Sequence, residues 1–210
     1  MDPTITLISK HRKLLILGLL LFLYPFSFIF SHPVSAQYRD FMTESEVEII
    51  RDAQEIDMRI AALVDMADRR FGVLNLNVAS PSAGKKEKFE WGLLPTGERL
   101  ELLNDIKKIL DKAVADIDNL SERPDAAILP DPEEKRPKTL KELFPIAVRN
   151  LANAAGRYRP VLAKELNTSP DPKQTGVILD ILDTCDQILE AVKKLPPEPV
   201  KRKGKNSPDN

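Results

Sequence analysis

Cysteine occurs once in this chain, at Cys185, and histidine twice, at His11 and His32. One cysteine excludes an internal disulfide framework, so packing alone must hold the fold together. Both histidines precede residue 37, inside a segment with the layout of a cleavable leader. A chain processed there keeps no imidazole, the commonest general base near neutral pH and a leading metal ligand. Serine nucleophiles then have no histidine partner. The Glu-x-x-His pairs of ferritin-like di-iron bundles are missing, and so is Cys-x-x-Cys-His for covalent haem. Eight glycines, scattered over 210 residues, leave no glycine-rich phosphate loop. These absences argue against an enzyme and against a resident metal or cofactor. Two carboxylates acting together remain a formal route to a hydrolase, but 32 acidic side chains give that pairing no specificity.

The leader has three parts. Lys10, His11, Arg12 and Lys13 form a basic start, Leu14 to Phe30 is almost wholly apolar, and Val34 and Ala36 carry small-residue spacing before Gln37. That is the pattern of a secretory signal peptide. Cleavage after Ala36 places the mature chain in the periplasm or outside the cell. The alternative is an uncleaved inner-membrane anchor over residues 14–30, at the lower length limit for crossing a bilayer. The mature chain has 174 residues, with 28 basic and 31 acidic side chains. That near balance predicts no nucleic-acid partner. It predicts membrane contact only through an uncleaved leader or in passing.

What remains is helical in pattern. The organisation expected is a leader over 1–36, one bundle domain over 37–195 and a disordered tail over 196–210. A first helix opens at the capping box Thr43-Glu-Ser-Glu46. Its stripe is Ile49, Ala53, Ile56, Ile60, Leu63, Ala67 and Phe71, at spacings of three and four. Gly72, or the Val73-Leu74 pair beyond it, marks its end. Glu44, Glu46 and Glu48 suit capping and the helix dipole, and Arg69-Arg70 suit a solvated or capping role at the C-terminus. A second helix, capped by Thr96, carries Leu103, Ile106, Leu110, Ala113, Ile117 and Leu120 in a heptad seam that ends at Pro124. A third opens at Thr139-Leu-Lys-Glu142, with Pro145 bending it or marking its true start and Pro160 kinking or breaking it. A fourth starts at Asp171-Pro172, with Gln174 in the box position, and runs through Ile178, Ile181, Cys185 and Ile188 to Pro196-Pro197. The expected fold is all-α and four-helix-bundle-like. It has long first-to-second and second-to-third connections and a kinked third helix. Cys185, on an apolar stripe, reads as a buried inert thiol rather than an intermolecular disulfide.

The first connection holds the one local cluster that stands out. Phe89 and Trp91 lie in it, beside Lys85, Lys86 and Lys88 and just before Leu93-Leu94. They fit either a plug over one end of the bundle or a contact with a partner or a lipid surface. Asn119-Leu-Ser121 and Asn167-Thr-Ser169 match the glycosylation tripeptide, which matters only in a host that glycosylates exported chains.

Three stretches carry a resemblance: Glu48-Ile-Ile-Arg-Asp-Ala-Gln-Glu-Ile-Asp57, Ala67-Asp-Arg-Arg70 and the run from Trp91 to Leu103. Together they resemble a family of exported bacterial helical proteins of unknown function. The resemblance spans the first two helices and their connection, and implies no activity, ligand or catalytic residue. The functional expectation is an exported, non-enzymatic helical protein of the envelope that binds an envelope protein. A small-molecule- or metal-binding bundle and a carboxylate-dependent hydrolase are the alternatives. N-terminal sequencing of the exported chain is expected to begin at Gln37; an intact Met1 start would favour the anchor.

Overall fold

Capping side chains and apolar stripes divide the described residues into five helices. The computed structural model describes residues 40–79, 89–123, 139–169 and 171–197. They are α1 (Glu44–Asp52), α2 (Ile56–Val73), α3 (Arg99–Glu122), α4 (Leu140–Thr168) and α5 (Pro172–Val192). The fold is all-α, and no strand occurs among the described residues. The leader, the lysines 85, 86 and 88, the proline-rich link 124–138 and the tail from 198 lie outside them.

Both capping boxes form. Thr43 Oγ1 accepts from the Glu46 amide at 3.2 Å, and Glu46 Oε2 accepts from the Thr43 amide at 2.9 Å. Glu142 Oε2 accepts from the Thr139 amide at 2.9 Å. These side chains satisfy amides that a helix start leaves open. At α5 Asp171 is the N-cap and Pro172 follows at the first position, as expected. Gln174 departs from its expected role: its Oε1 accepts from Arg99 Nε at 3.1 Å, joining α5 to α3.

Two sequence expectations need correction, and two that held alternatives are narrowed. The first helix is two helices. Ala53 adopts φ −76°, ψ 78°, outside the helical region, and Gln54 bonds back only to Asp52. Glu46 and Ile50 of α1 are buried, and Ile49 packs partly buried against the core. Of the two ends expected for the stripe, the one at Val73-Leu74 holds: α2 runs to Val73, with Leu74 as its C-cap. Asn75 supplies the left-handed residue at φ 57°, while the amides of Asn75 and Leu76 bond to the carbonyls of Gly72 and Phe71. That is a Schellman closure with asparagine in the place glycine usually takes. α3 begins two residues after Thr96, at an N-cap Glu98 whose amide donates to Glu101 Oε2. Finally, α4 is one helix of 29 residues that neither starts at Pro145 nor breaks at Pro160. The carbonyls that lose their donors belong to Lys141 and Gly156, both exposed, so water can satisfy them.

Four helices form the bundle. α2 lies against α3 and α4, and α5 lies against the same two. α3 and α4 follow one another in the chain yet meet only slightly, across the diagonal. Cross-helix pairs set the directions. Arg59 meets Asp116 and Arg70 meets Asp105, so α2 and α3 are antiparallel. Arg99 reaches Gln174 and Thr184 reaches Asp111, so α3 and α5 are parallel. Arg159 pairs with Asp186, and Arg149 donates to the Pro196 carbonyl, so α4 and α5 are antiparallel. Direction therefore alternates along the chain, while the ring order is α2, α3, α5, α4. α1 lies outside the ring, on α2.

The stripes read from sequence line the core. Ile60, Leu63, Ala67, Leu103, Ile106, Leu110, Leu151, Ile178, Ile181 and Ile188 are all buried. Cys185 is buried with them, and burial pushes its thiol up to about 12, with Asp186 adding to the effect. The thiolate, the reactive form, is thereby suppressed. Tyr158 of α4 stacks on Phe71 of α2, with ring centroids 4.6 Å apart. Its hydroxyl donates to Asp68 at 2.6 Å, with the Val64 carbonyl at 3.2 Å.

Burial first, and the Asp68 charge second, raise the Tyr158 phenol well above its ordinary 10.0. A raised folded-state value gives stability that is complete below the unfolded value and is lost as pH rises through it. Tyr158→Phe is expected to cost about 1 kcal/mol in urea unfolding at pH 7, from the lost hydrogen bond. Above the unfolded value near 10.0 the gap between the two proteins should narrow, since only the wild-type unfolded chain gains phenolate. A constant gap from pH 7 to 11 would contradict this account.

Candidate functional site

One end of the bundle gathers the most unusual chemistry: α1, the C-terminal turns of α2, the first turns of α3, and the connection from 89 to 98. At its centre is Arg70, 1 % exposed. A guanidinium offers five N–H donors and must spend them when buried. Nη1 donates to Glu46 Oε1 at 2.8 Å and to the Met66 carbonyl at 3.1 Å. Nη2 donates to Glu46 Oε2 at 2.8 Å and to the Phe41 carbonyl. Nε faces Asp105 Oδ2 at 3.5 Å. Glu46 is wholly buried, and Asp105 nearly so. Arg69 Nε stands 3.7 Å from Glu46 Oε1, so two cations meet two carboxylates and the formal charges cancel.

Glu46 therefore does two things at once. It closes the capping box of α1 and grips Arg70 in a two-pronged, charge-assisted pair. Its oxygens are taken up by the Thr43 amide and the guanidinium. The arrangement suits holding rather than proton transfer.

Arg69 reaches the other way. Its Nη2 donates to the Leu93 carbonyl at 2.6 Å, and its guanidinium carbon lies 5.3 Å from the centre of the Trp91 ring. That is cation–π range. Trp91 is 7 % exposed and meets Phe89 edge-on, with ring centroids 5.2 Å apart. Gly92 follows at φ 62°, where a side chain would be strained. An added Cβ there would come within 2.7 Å of Ser45 Oγ, so glycine is needed both for the turn and for the approach to α1. Leu93 and Leu94 come next, 89 % and 61 % exposed, and then Pro95 turns back into the protein.

Of the expected candidates, the structure brings Phe89 and Trp91 together, with Trp91 in the core cluster and Phe89 packed against it. Lys85, Lys86 and Lys88 fall outside the described residues. The expectation that Arg69-Arg70 are solvated is overturned, because both are engaged in the ion cluster. The glutamates at the start of α1 divide: Glu44 and Glu48 are exposed while Glu46 is the buried partner of Arg70. Sequence reasoning missed Glu46, Arg70 and Asp105 as a unit. The signal was present, since Arg70 continues the stripe Leu63, Ala67, Leu74, and Asp105 lies between Leu102 and Ile109. It also passed over Ser82-Ala-Gly-Lys85, a Ser-x-x-Lys spacing outside the described residues.

A second cluster ties α2 to α4. Arg157 grips both oxygens of Asp68 at 3.2 Å, donates to the Ala79 carbonyl, and lies over the Tyr158 ring. Among the described residues no group of three or more His, Cys, Asp or Glu side chains is placed to hold a metal ion. Among the same residues no helix is long and apolar enough to cross a membrane. No family model, curated protein or solved structure matches the chain.

Arg70→Ala removes the buried cation that Glu46 and Asp105 share. The expected loss is about 3–5 kcal/mol of unfolding free energy, the range for a buried pair broken on one side. Urea unfolding measures it. A loss below about 1 kcal/mol, the range of exposed pairs, would mean that the cluster is solvated.

Proposed function

We propose that this chain is an exported, non-enzymatic helical protein of the cell envelope that binds another envelope protein. The observation that carries the reading is the Leu93-Leu94 tip. Two large apolar side chains face solvent on a segment that is otherwise firmly built. Trp91 and Pro95 are buried on either side, Gly92 closes on Ser45, and Arg69 holds the Leu93 carbonyl. Such a tip loses little freedom on binding, and preorganisation of this kind favours association. Single exposed leucines are ordinary, but an adjacent pair on a fixed turn suits the centre of a small contact patch.

The chemistry supports a binding role over a catalytic one. The buried charged groups, Glu46, Arg70 and Asp105, stand against one another in the folded chain. The buried thiol is held protonated. Export is the expectation from the leader, and it puts the partner in the envelope.

The test is cross-linking in envelope extracts from cells that carry the tagged, full-length chain. A discrete cross-linked species is expected for the wild type. Leu93→Ser combined with Leu94→Ser should remove it while changing stability by no more than about 0.5 kcal/mol per site, as for exposed substitutions. Retention of the same species by the double variant would place the contact elsewhere. Absence of any species from wild-type extracts under several cross-linkers would count against the reading itself.

A further inference from the structure

The fold takes hold of the chain at Asp40 and Phe41. The Phe41 carbonyl accepts from the buried Arg70 guanidinium, Lys108 Nζ stands 5.9 Å from the centre of its ring, and the ring packs against the core. The Met42 amide donates to Asp40 Oδ1 at 3.3 Å, and Thr43 then caps α1. Gln37, Tyr38 and Arg39 separate this attachment from the expected cut after Ala36, and they lie outside the described residues. We propose that Gln37 is a modification site: once the leader is removed, it closes on itself to a pyroglutamyl ring. The proposal rests on cleavage after Ala36, the expectation that also carries export.

The chemistry needs only what cleavage leaves behind. Gln37 then carries a free α-amine and a side-chain amide whose Cδ is a five-membered ring away. An α-amine titrates at about 8, so at neutral pH part of it is uncharged and nucleophilic. It attacks Cδ; the bond from the α-nitrogen to Cδ forms and the Cδ–Nε2 bond breaks. The amide nitrogen leaves as ammonia and takes one proton from the amine. No oxidant, reductant or second substrate enters. Holding amine and amide in one residue supplies the effective concentration for such a step.

The ring changes the chain end in two ways. It removes the terminal cation, and it denies an aminopeptidase the free amine on which such enzymes act. The second effect has weight because the attachment lies so near the cut. Trimming through residue 41 takes the Phe41 carbonyl from Arg70. Two residues further it takes Thr43, and with it the capping box of α1. A buried donor stripped of its acceptor in this way is costly to the fold. The closed ring therefore guards the end on which the Arg70 cluster is built.

Mass spectrometry of the exported chain, expressed at full length and freshly purified, tests the site. Free amines of the intact protein are labelled before digestion, which separates a ring already present from one formed later in the peptide. The N-terminal peptide is expected to start at residue 37, to be unlabelled, and to be lighter than its sequence by one ammonia. A labelled Gln37 would overturn the proposal and leave cleavage standing. A start at Met1, or at any other residue, would overturn both. Gln37→Asn keeps an amide one methylene shorter, and its ring would have to be four-membered and strained. Its peptide should therefore carry the label, and a brief aminopeptidase challenge should trim it while the wild type keeps its start. Equal trimming of the two proteins would overturn the guarding role. The ring blocks stepwise chemical sequencing, so the start at residue 37 is read by mass. The wild-type measurement decides the ring by itself and stands apart from the recovery of an envelope partner.

Discussion

A single buried guanidinium organises this end of the protein. Arg70 sits where the apolar stripe of α2 calls for a leucine or alanine. A charge in that place must find partners from several directions at once. It finds Glu46 on α1, Asp105 on α3, the Met66 carbonyl on its own helix and the Phe41 carbonyl upstream. The direction of α1 follows from this demand. Glu46 stands three residues before Ile49 and seven before Ala53, so helical spacing places it on the stripe side. α1 ends at its C-cap Ala53, and Glu46 within it is buried against Arg70. The net energy of such a pair is small, because the desolvation of two ions offsets most of their attraction. Its weight lies in the one arrangement it permits.

The same logic recurs around the ring. Apolar stripes of Leu, Ile and Ala are forgiving, and helices that meet through them can slide by a turn at modest cost. Polar pairs across the helix interfaces remove that freedom. Asp68 with Arg157 and Tyr158 fixes α2 against α4. Arg99 with Glu165 and Gln174 ties the start of α3 to the end of α4 and the start of α5. Arg59 with Asp116 sets α2 against α3 at their far ends. The diagonal placement of α3 and α4 needs such markers more than a simple up-and-down order would. Two of the four neighbour pairs, α2 with α4 and α3 with α5, are parallel and are not joined by a turn.

This division explains what was legible in the sequence. Helix existence, type and inward face depend on local spacing and caps, and these came through: Thr43 with Glu46, Thr139 with Glu142, Asp171 with Pro172, and the seam from Leu103 to Ile117. Helix interruptions came through poorly. No proline or glycine marks the break at Ala53. Pro145 and Pro160 advertise breaks that do not occur, because their orphaned carbonyls face water. The Phe89–Trp91 cluster was legible as a feature. Its support was not, since Arg69 and Ser45 reach it from residues far off in the chain.

The buried charges and the exposed leucines belong to one physical arrangement. Ordering two leucines in water is unfavourable unless the backbone beneath them is held by other means. Trp91 and Pro95 supply buried flanks, and Arg69 donates to the Leu93 carbonyl between them. Arg69 is itself held near Glu46, and Glu46 by Arg70. The tip is thus built on the ion cluster, and the cluster on the docking of α1. A change that loosens α1 should therefore pass through Glu46 and Arg69 to the leucines before it reaches the four-helix core. The core has its own polar ties and does not depend on α1 for its register. The tip and the four-helix core are in this way held by largely different contacts, with Arg70 at the centre of the cluster beneath the tip.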